Sequence, residues 1–143
     1  MALKVTKTTV WVAEIVDQAG GLAACLGTLA GAGANLECLI ARRLTNRPRT
    51  GAVFVTPLQG RKVAAAAAKL GFHAAQRIST LKVEGPDRPG IGARIAQAVG
   101  AARVNMRAAT ALVIGRKFVG YFGFDSANDA AKAAKAIRRI GAK

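Results

Sequence analysis

Short runs of alternating apolar and polar residues are separated by glycine-rich turns. Between these runs the apolar spacing lengthens to that of helices. Val10-Trp11-Val12-Ala13-Glu14-Ile15-Val16 is rich in β-branched and aromatic residues and predicts a strand that ends at a turn over 17–21. Leu22, Cys25, Leu26 and Leu29 recur at helical spacing, and Gly31 and Gly33 are placed to end that helix. Leu36, Cys38, Ile40 and Leu44 alternate and predict one face of a strand. Thr45-Asn46-Arg47-Pro48-Arg49 is turn chemistry, after which Ala52 and Phe54 are expected back on the core face. Arg61 to Leu70 reads as a short Ala-rich helix with Val63, Ala66, Ala67 and Leu70 inward.

The second half repeats this order. Leu81 to Glu84 predicts a strand, and Asp87-Arg88-Pro89-Gly90 a turn. Ile91, Ile95, Val99 and Ala102 form a helical stripe; Met106, Ala108, Thr110, Leu112 and Ile114 alternate. Gly115-Arg116-Lys117 turns a hairpin, and Phe118, Phe122 and Phe124 return inward. Ala127 to Ile140 reads as a last helix with Ala133, Ile137 and Ile140 inward.

Sliding the chain by 70 positions superposes Glu14 on Glu84, Asp17 on Asp87, Gly20 on Gly90, Asn35 on Asn105, Phe54 on Phe124 and Lys62 on Lys132. The repeat is an internal duplication of a split β-α-β unit. The expected fold is α+β: two ferredoxin-like (βαββαβ) repeats, over 1–71 and 72–143, sharing an antiparallel sheet with helices on one face. The strand over 72–78 completes the first repeat. Its repeat equivalent, residues 2–8, is expected to supply the missing edge strand of the second. If the halves are related by a pseudo-twofold, the numbers of opposed residues in the crossing strands sum to about 87.

Composition narrows the class. The chain has 143 residues, of which 52% are hydrophobic and only 5% aromatic, so its core is built from aliphatic side chains. This apolar share excludes a disordered chain despite a net charge of +15. Met1 to Lys7 lacks the order of a signal peptide. The uncharged stretch Ala19–Leu36 is too rich in Gly and Ala for a membrane span, so a cytoplasmic location without membrane association is expected. Two cysteines make no disulfide framework and no zinc cluster is spaced for binding, so no metal and no cofactor are expected. His73 is the sole histidine, no base pairs with Cys25 or Cys38, and no phosphate-loop glycine pattern occurs. The residues therefore point away from an enzyme and name no catalytic residue.

The turns carry the candidate chemistry. At Asp87-Arg88-Pro89-Gly90-Ile91-Gly92 a strand meets a helix start, where unpaired N–H groups and dipole favour a carboxylate or phosphate. Asn105, before the next strand, can donate and accept. The same residues also serve as an ordinary capped turn and loop closure.

Glu84-Gly85-Pro86-Asp87-Arg88-Pro89-Gly90 followed by a helix, then Val104-Asn105-Met106, resembles the ACT domain. Across both halves the chain is similar to the paired regulatory domains of aspartokinases, without a catalytic domain. The resemblance implies a regulatory sensor that binds an amino acid or related metabolite, often at interfaces of paired domains. By position the ligand contacts are Asp87, Arg88, Pro89, Gly90, Ile91, Gly92, Asn105 and Met106. In the first half they are Asp17, Gln18, Ala19, Gly20, Gly21, Leu22, Asn35 and Leu36. Ala19 in place of the proline and the extra Gly21 predict a looser first turn. A homodimer with joined sheets and a regulated enzyme or protein in trans are the implied partners. Glu37 and Arg107, just beyond the asparagines, are candidates for side-chain selection. The alternative is a basic module that grips nucleic acid or an acidic partner through Arg42, Arg43, Arg47 and Arg49 on one hairpin and Arg116 and Lys117 on the other. The phenylalanines fit the inward face and leave no stacking surface for RNA.

Overall fold

The computed structural model describes residues 2–75 and 77–141. Along the chain come β1 (Lys4–Thr8), β2 (Trp11–Val16), α1 (Gly21–Gly31), β3 (Cys38–Arg43), β4 (Thr50–Thr56), α2 (Arg61–Lys69), β5 (His73–Ala74), β6 (Ser79–Pro86), α3 (Ile91–Ala101), β7 (Met106–Ile114), β8 (Lys117–Phe124) and α4 (Ala127–Gly141). The strands form two antiparallel four-stranded sheets, ordered β3-β4-β2-β5 and β1-β6-β8-β7. Both have the order of a ferredoxin-like repeat.

Contacts divide the chain into two compact units. One is continuous, Thr9–Ala75; the other joins Met1–Thr8 to Gln76–Lys143. The first is therefore inserted into the second. Strand β1 pairs with β6 from Lys4 opposite Glu84 to Thr8 opposite Thr80, so every opposed pair sums to 88. The strand exchange expected from the repeat is present, one residue from the expected register. On the other side, β5 meets β2 with Trp11 opposite Ala74, a sum of 85.

Two details of the expected architecture differ. The described strands fall in two four-stranded sheets rather than one shared sheet: pairing stops at Thr8 on one strand and resumes at Trp11 on the next. The strand expected over 72–78 is confined to His73–Ala74, with Arg77 in a turn; Gln76 lies outside the described residues.

A third difference concerns Phe54. Glu14 lies opposite Ala52, whereas Glu84 lies opposite Val119. In these strands the repeat offset is thus 67, not 70. The cause is hairpin length: Ile114 pairs directly with Lys117 across a two-residue turn, while the first hairpin passes from Arg43 to Gly51 through a longer loop. An ungapped slide hides this change. Val53 and Val55, not Phe54, point into the core; Phe54 is half-buried on the opposite face, level with Val12 and Ile40. Cys38 shares that face and is half-buried rather than in the core.

Each unit has its own core. In the continuous unit Ala13, Val53 and Val55 pack against Cys25, Leu29, Ala67 and Phe72, with Trp11 at the margin. In the other, Leu3 and Val5 of the exchanged strand join Leu81, Val83, Phe118, Phe122 and Phe124 beneath Ile91, Ile95, Val99, Ala133 and Ile137. Arg138 Nη2 donates to the Val5 carbonyl at 3.0 Å, fixing α4 to β1. Among the described residues no helix is long and apolar enough to cross a membrane.

Candidate functional site

Both strand-to-helix turns end on a glycine in the left-handed region, Gly20 at φ 82° and Gly90 at φ 80°. This conformation costs a side-chain-bearing residue energy, which explains glycine at these positions. Each glycine is the helix N-cap, and neither helix receives a side-chain cap. The aspartates therefore do not cap. Each instead fixes the turn through its backbone: Asp17 N–H donates to the Arg49 carbonyl and Asp87 N–H to the Arg116 carbonyl, both at 2.8 Å. The same clamp joins turn to hairpin in both units.

The first residue of each helix bonds back into its turn, Gly21 to Gln18 and Ile91 to Arg88, both at 3.0 Å. Ala24 and Arg94 donate to the cap glycine carbonyls. Among the described residues the N–H groups of Leu22, Ala23, Gly92 and Ala93 have no backbone partner, as at any helix start.

At the first turn Leu22 adjoins a cavity of about 180 Å³, lined also by Ile15, Val16, Asp17, Gln18, Ala41, Arg42, Arg43, Gly51 and Ala52. Gly21 shapes it. A Cβ there would stand 2.6 Å from the Val16 carbonyl oxygen, so the helix start approaches the strand end more closely than any other residue allows. Gly21 also holds the helix position that Ile91 fills in the other unit, where that isoleucine is buried. The second glycine of this turn thus has a steric reason. Arg43 Nε donates to Asp17 Oδ2, with three-quarters of the arginine side chain exposed. Arg42 has no side-chain partner among the described residues, and Glu14 pairs with Arg47 on the neighbouring loop. Arg43, on the same face of β3 as Ala41, brings one guanidinium to the cavity beside the Asp17 carboxylate and the helix start, whereas Arg42 faces the other side of the sheet with Ile40.

The asparagines are elsewhere. Asn35 precedes β3, whose first residue Cys38 lies opposite Thr56, while the Asp17 turn follows the pairing of Val16 with Thr50. The intervening strand length of β4 puts them about 20 Å apart within one unit. Asn105 and the Asp87 turn are likewise at opposite ends of their sheet. Both asparagines are exposed; Leu36 and Met106 pack against the cores. The structure therefore brings Asp17, Gln18 and Leu22 together and does not bring Asn35 or Leu36 to them. Arg107 occupies an irregularity between Met106 and Ala108 and pairs with Asp125 at 3.3 Å.

Sequence reasoning placed Arg42 and Arg43 only on a basic hairpin. The register of β3 against β4, set by an irregular loop, is what turns Arg43 and not Arg42 toward the cavity, and it left no local pattern to read. Burial pushes the Cys25 thiol up, which keeps it protonated and unreactive. The Lys117 hydrogen bond, with Lys82 and Lys4 adding their charge, holds the Glu84 carboxyl below its usual range. Among the described residues no cluster of His, Cys, Asp or Glu is placed to hold a metal ion.

No family model matches the sequence. No curated protein matches it either. Solved structures do match in fold. A protein from Bacteroides thetaiotaomicron superposes with a TM-score of 0.76 at 14% identity, over 92% of this chain and 88% of that one. The ligand-free regulatory subunit of aspartate kinase from Thermus thermophilus superposes at 0.65 with 18% identity, over 97% and 96%. Aspartokinase III of E. coli, in complex with lysine and aspartate, superposes at 0.54 with 12% identity, over 99% of this chain and 32% of that one. The chain therefore carries the tandem ACT-type fold, two interleaved ferredoxin-like repeats built as in the regulatory subunits of aspartate kinase.

Proposed function

We propose that this chain is a regulatory sensor and not a catalyst, and that it binds a small amino acid or related carboxylate in the cavity at the first turn. The observation that carries this reading is the convergence of Arg43, Asp17 and the helix start at Leu22 on one cavity. A ligand carboxylate is matched by the helix start and Arg43; an ammonium group is matched by Asp17. The positive helix start beside one balanced Arg43–Asp17 pair favours a neutral or acidic amino acid over a basic one. The fold supports a regulatory role, since the aspartate kinase regulatory subunits share it over nearly their whole length.

Two copies joined along sheet edges form the sensor's dimer. The edge strand β7 leaves one side unpaired and exposes Leu112, Val113 and Ile114, an apolar row that an isolated chain leaves in water. A change in this pairing on binding is how occupancy reaches a regulated enzyme or protein in trans, and it requires the ligand to prefer one state.

A thermal-shift screen of the twenty amino acids tests the reading. One neutral or acidic amino acid should raise the midpoint by several degrees at saturation. The shift should vanish in Arg43→Ala and persist in Asn35→Ala. Silence from every amino acid, or a shift indifferent to Arg43→Ala, would overturn it.

A further inference from the structure

The other unit holds a second cavity, of about 470 Å³, lined by Lys4, Glu84, Gly85, Pro86, Arg116 and Lys117. Its residues come from the exchanged strand β1, from β6 and from the β7–β8 hairpin. Lys4 stands directly across the strand pair from Glu84. Glu84 receives Lys117 Nζ at 3.0 Å and Lys82 Nζ at 3.7 Å, and only 16% of its side chain is exposed. Three lysines thus converge on one carboxylate. Neither Lys4 nor Arg116 has a side-chain partner among the described residues, and Arg116 adds a fourth cation at the rim. The cluster is short of negative charge, and the shortage faces a cavity.

We propose that this cavity binds a phosphate-bearing small molecule, at a site separate from the first turn. Lysine ammonium groups act as point charges for phosphate, and the arginine fork matches two of its oxygens. A lone carboxylate would leave most of the surplus charge uncompensated, whereas a diphosphate would offset it. The volume is in the range of sites that hold nucleotide-sized ligands. The cations form one compact patch at the Glu84 end of the exposed sheet face, which suits a compact anion better than a polynucleotide. Glu84 acts as the competing internal anion: it holds Lys117 when the cavity is empty and yields part of that contact to the ligand. The Arg116 carbonyl also accepts from Asp87 N–H, so an occupied cavity bears directly on the second strand-to-helix turn.

Calorimetric titration of the full chain at about 0.15 M salt, with pyrophosphate, metal-free ATP, aspartate and a short DNA duplex, tests the proposal. Pyrophosphate and ATP should bind saturably at one site. Arg116→Ala should weaken them about tenfold, since it removes a charge-assisted contact. Arg116 lies in an exposed hairpin turn, so this variant keeps the fold, which circular dichroism checks. Glu84→Gln should tighten binding severalfold, an effect that a merely structural ion pair would not produce. The proposal is overturned by the absence of saturable phosphate binding, by affinities indifferent to Arg116→Ala and Glu84→Gln, by aspartate binding as tightly as pyrophosphate, or by binding of the duplex alone.

Discussion

Three glycines within eight residues respond to a methyl group in opposite ways, because each has a different reason to be glycine. Gly21→Ala forces a Cβ against the Val16 carbonyl and should destabilise the chain by about 1–3 kcal/mol in urea unfolding. Gly20→Ala meets no atom but must hold a positive φ, at a cost of roughly 1 kcal/mol. Gly27, inside α1 with open space around it, should tolerate alanine with a gain of about 0.5–1 kcal/mol. The titratable groups also separate by environment. Glu84 has a lowered folded-state value, so its stabilisation is fully present above its unfolded value. That stabilisation is lost as the pH falls below 4.5 through the folded value. Glu84→Gln should therefore flatten the stability profile in that acidic window and leave its slope near neutrality unchanged. The buried thiol of Cys25 should resist alkylation in the folded chain, while half-buried Cys38 is modified first; mass spectrometry of timed samples reads the order.

At the scale of elements, hydrophobic period and turn chemistry carried most of the fold. Ile91, Ile95 and Val99 are buried at the spacing that predicted α3, and Phe118, Phe122 and Phe124 line the core as alternation required. The exchange of β1 was legible because residues 2–8 are the only segment in the repeat position of the missing strand. The facing of Phe54 was not legible. A three-residue difference in hairpin length inverts a strand's two faces, and turn composition does not report loop length. The candidate site was half legible for a related reason. Turn residues are contiguous in sequence, but the side chains that complete the cavity arrive through strand register. The exchange itself makes a directional prediction. Removing residues 2–8 strips Leu3 and Val5 from one core and the Arg138 acceptor from α4. Hydrogen exchange should accelerate in β6, β8 and α4 and remain slow in β2 and β4.

For the whole molecule, charge outweighs other influences outside the cores. Seven carboxylates face 22 lysines and arginines, and several of the seven are already engaged by cations: Asp17, Glu14, Glu84 and Asp125. The remaining cations repel one another across the surface. The melting temperature should rise between low salt and about 0.3 M as this repulsion is screened, and a flat or falling trend would show that the cations are locally compensated. The insertion of one unit within the other has a further consequence during synthesis. The inner unit is complete once Ala75 leaves the ribosome, but β1 has emerged first and its partner β6 follows roughly 70 residues later, a wait of about 4–14 s at ordinary elongation rates. Throughout that interval the nascent chain carries an orphan strand ahead of a finished domain. Its lysines at positions 4 and 7 are then what keep a short apolar segment from finding the wrong sheet.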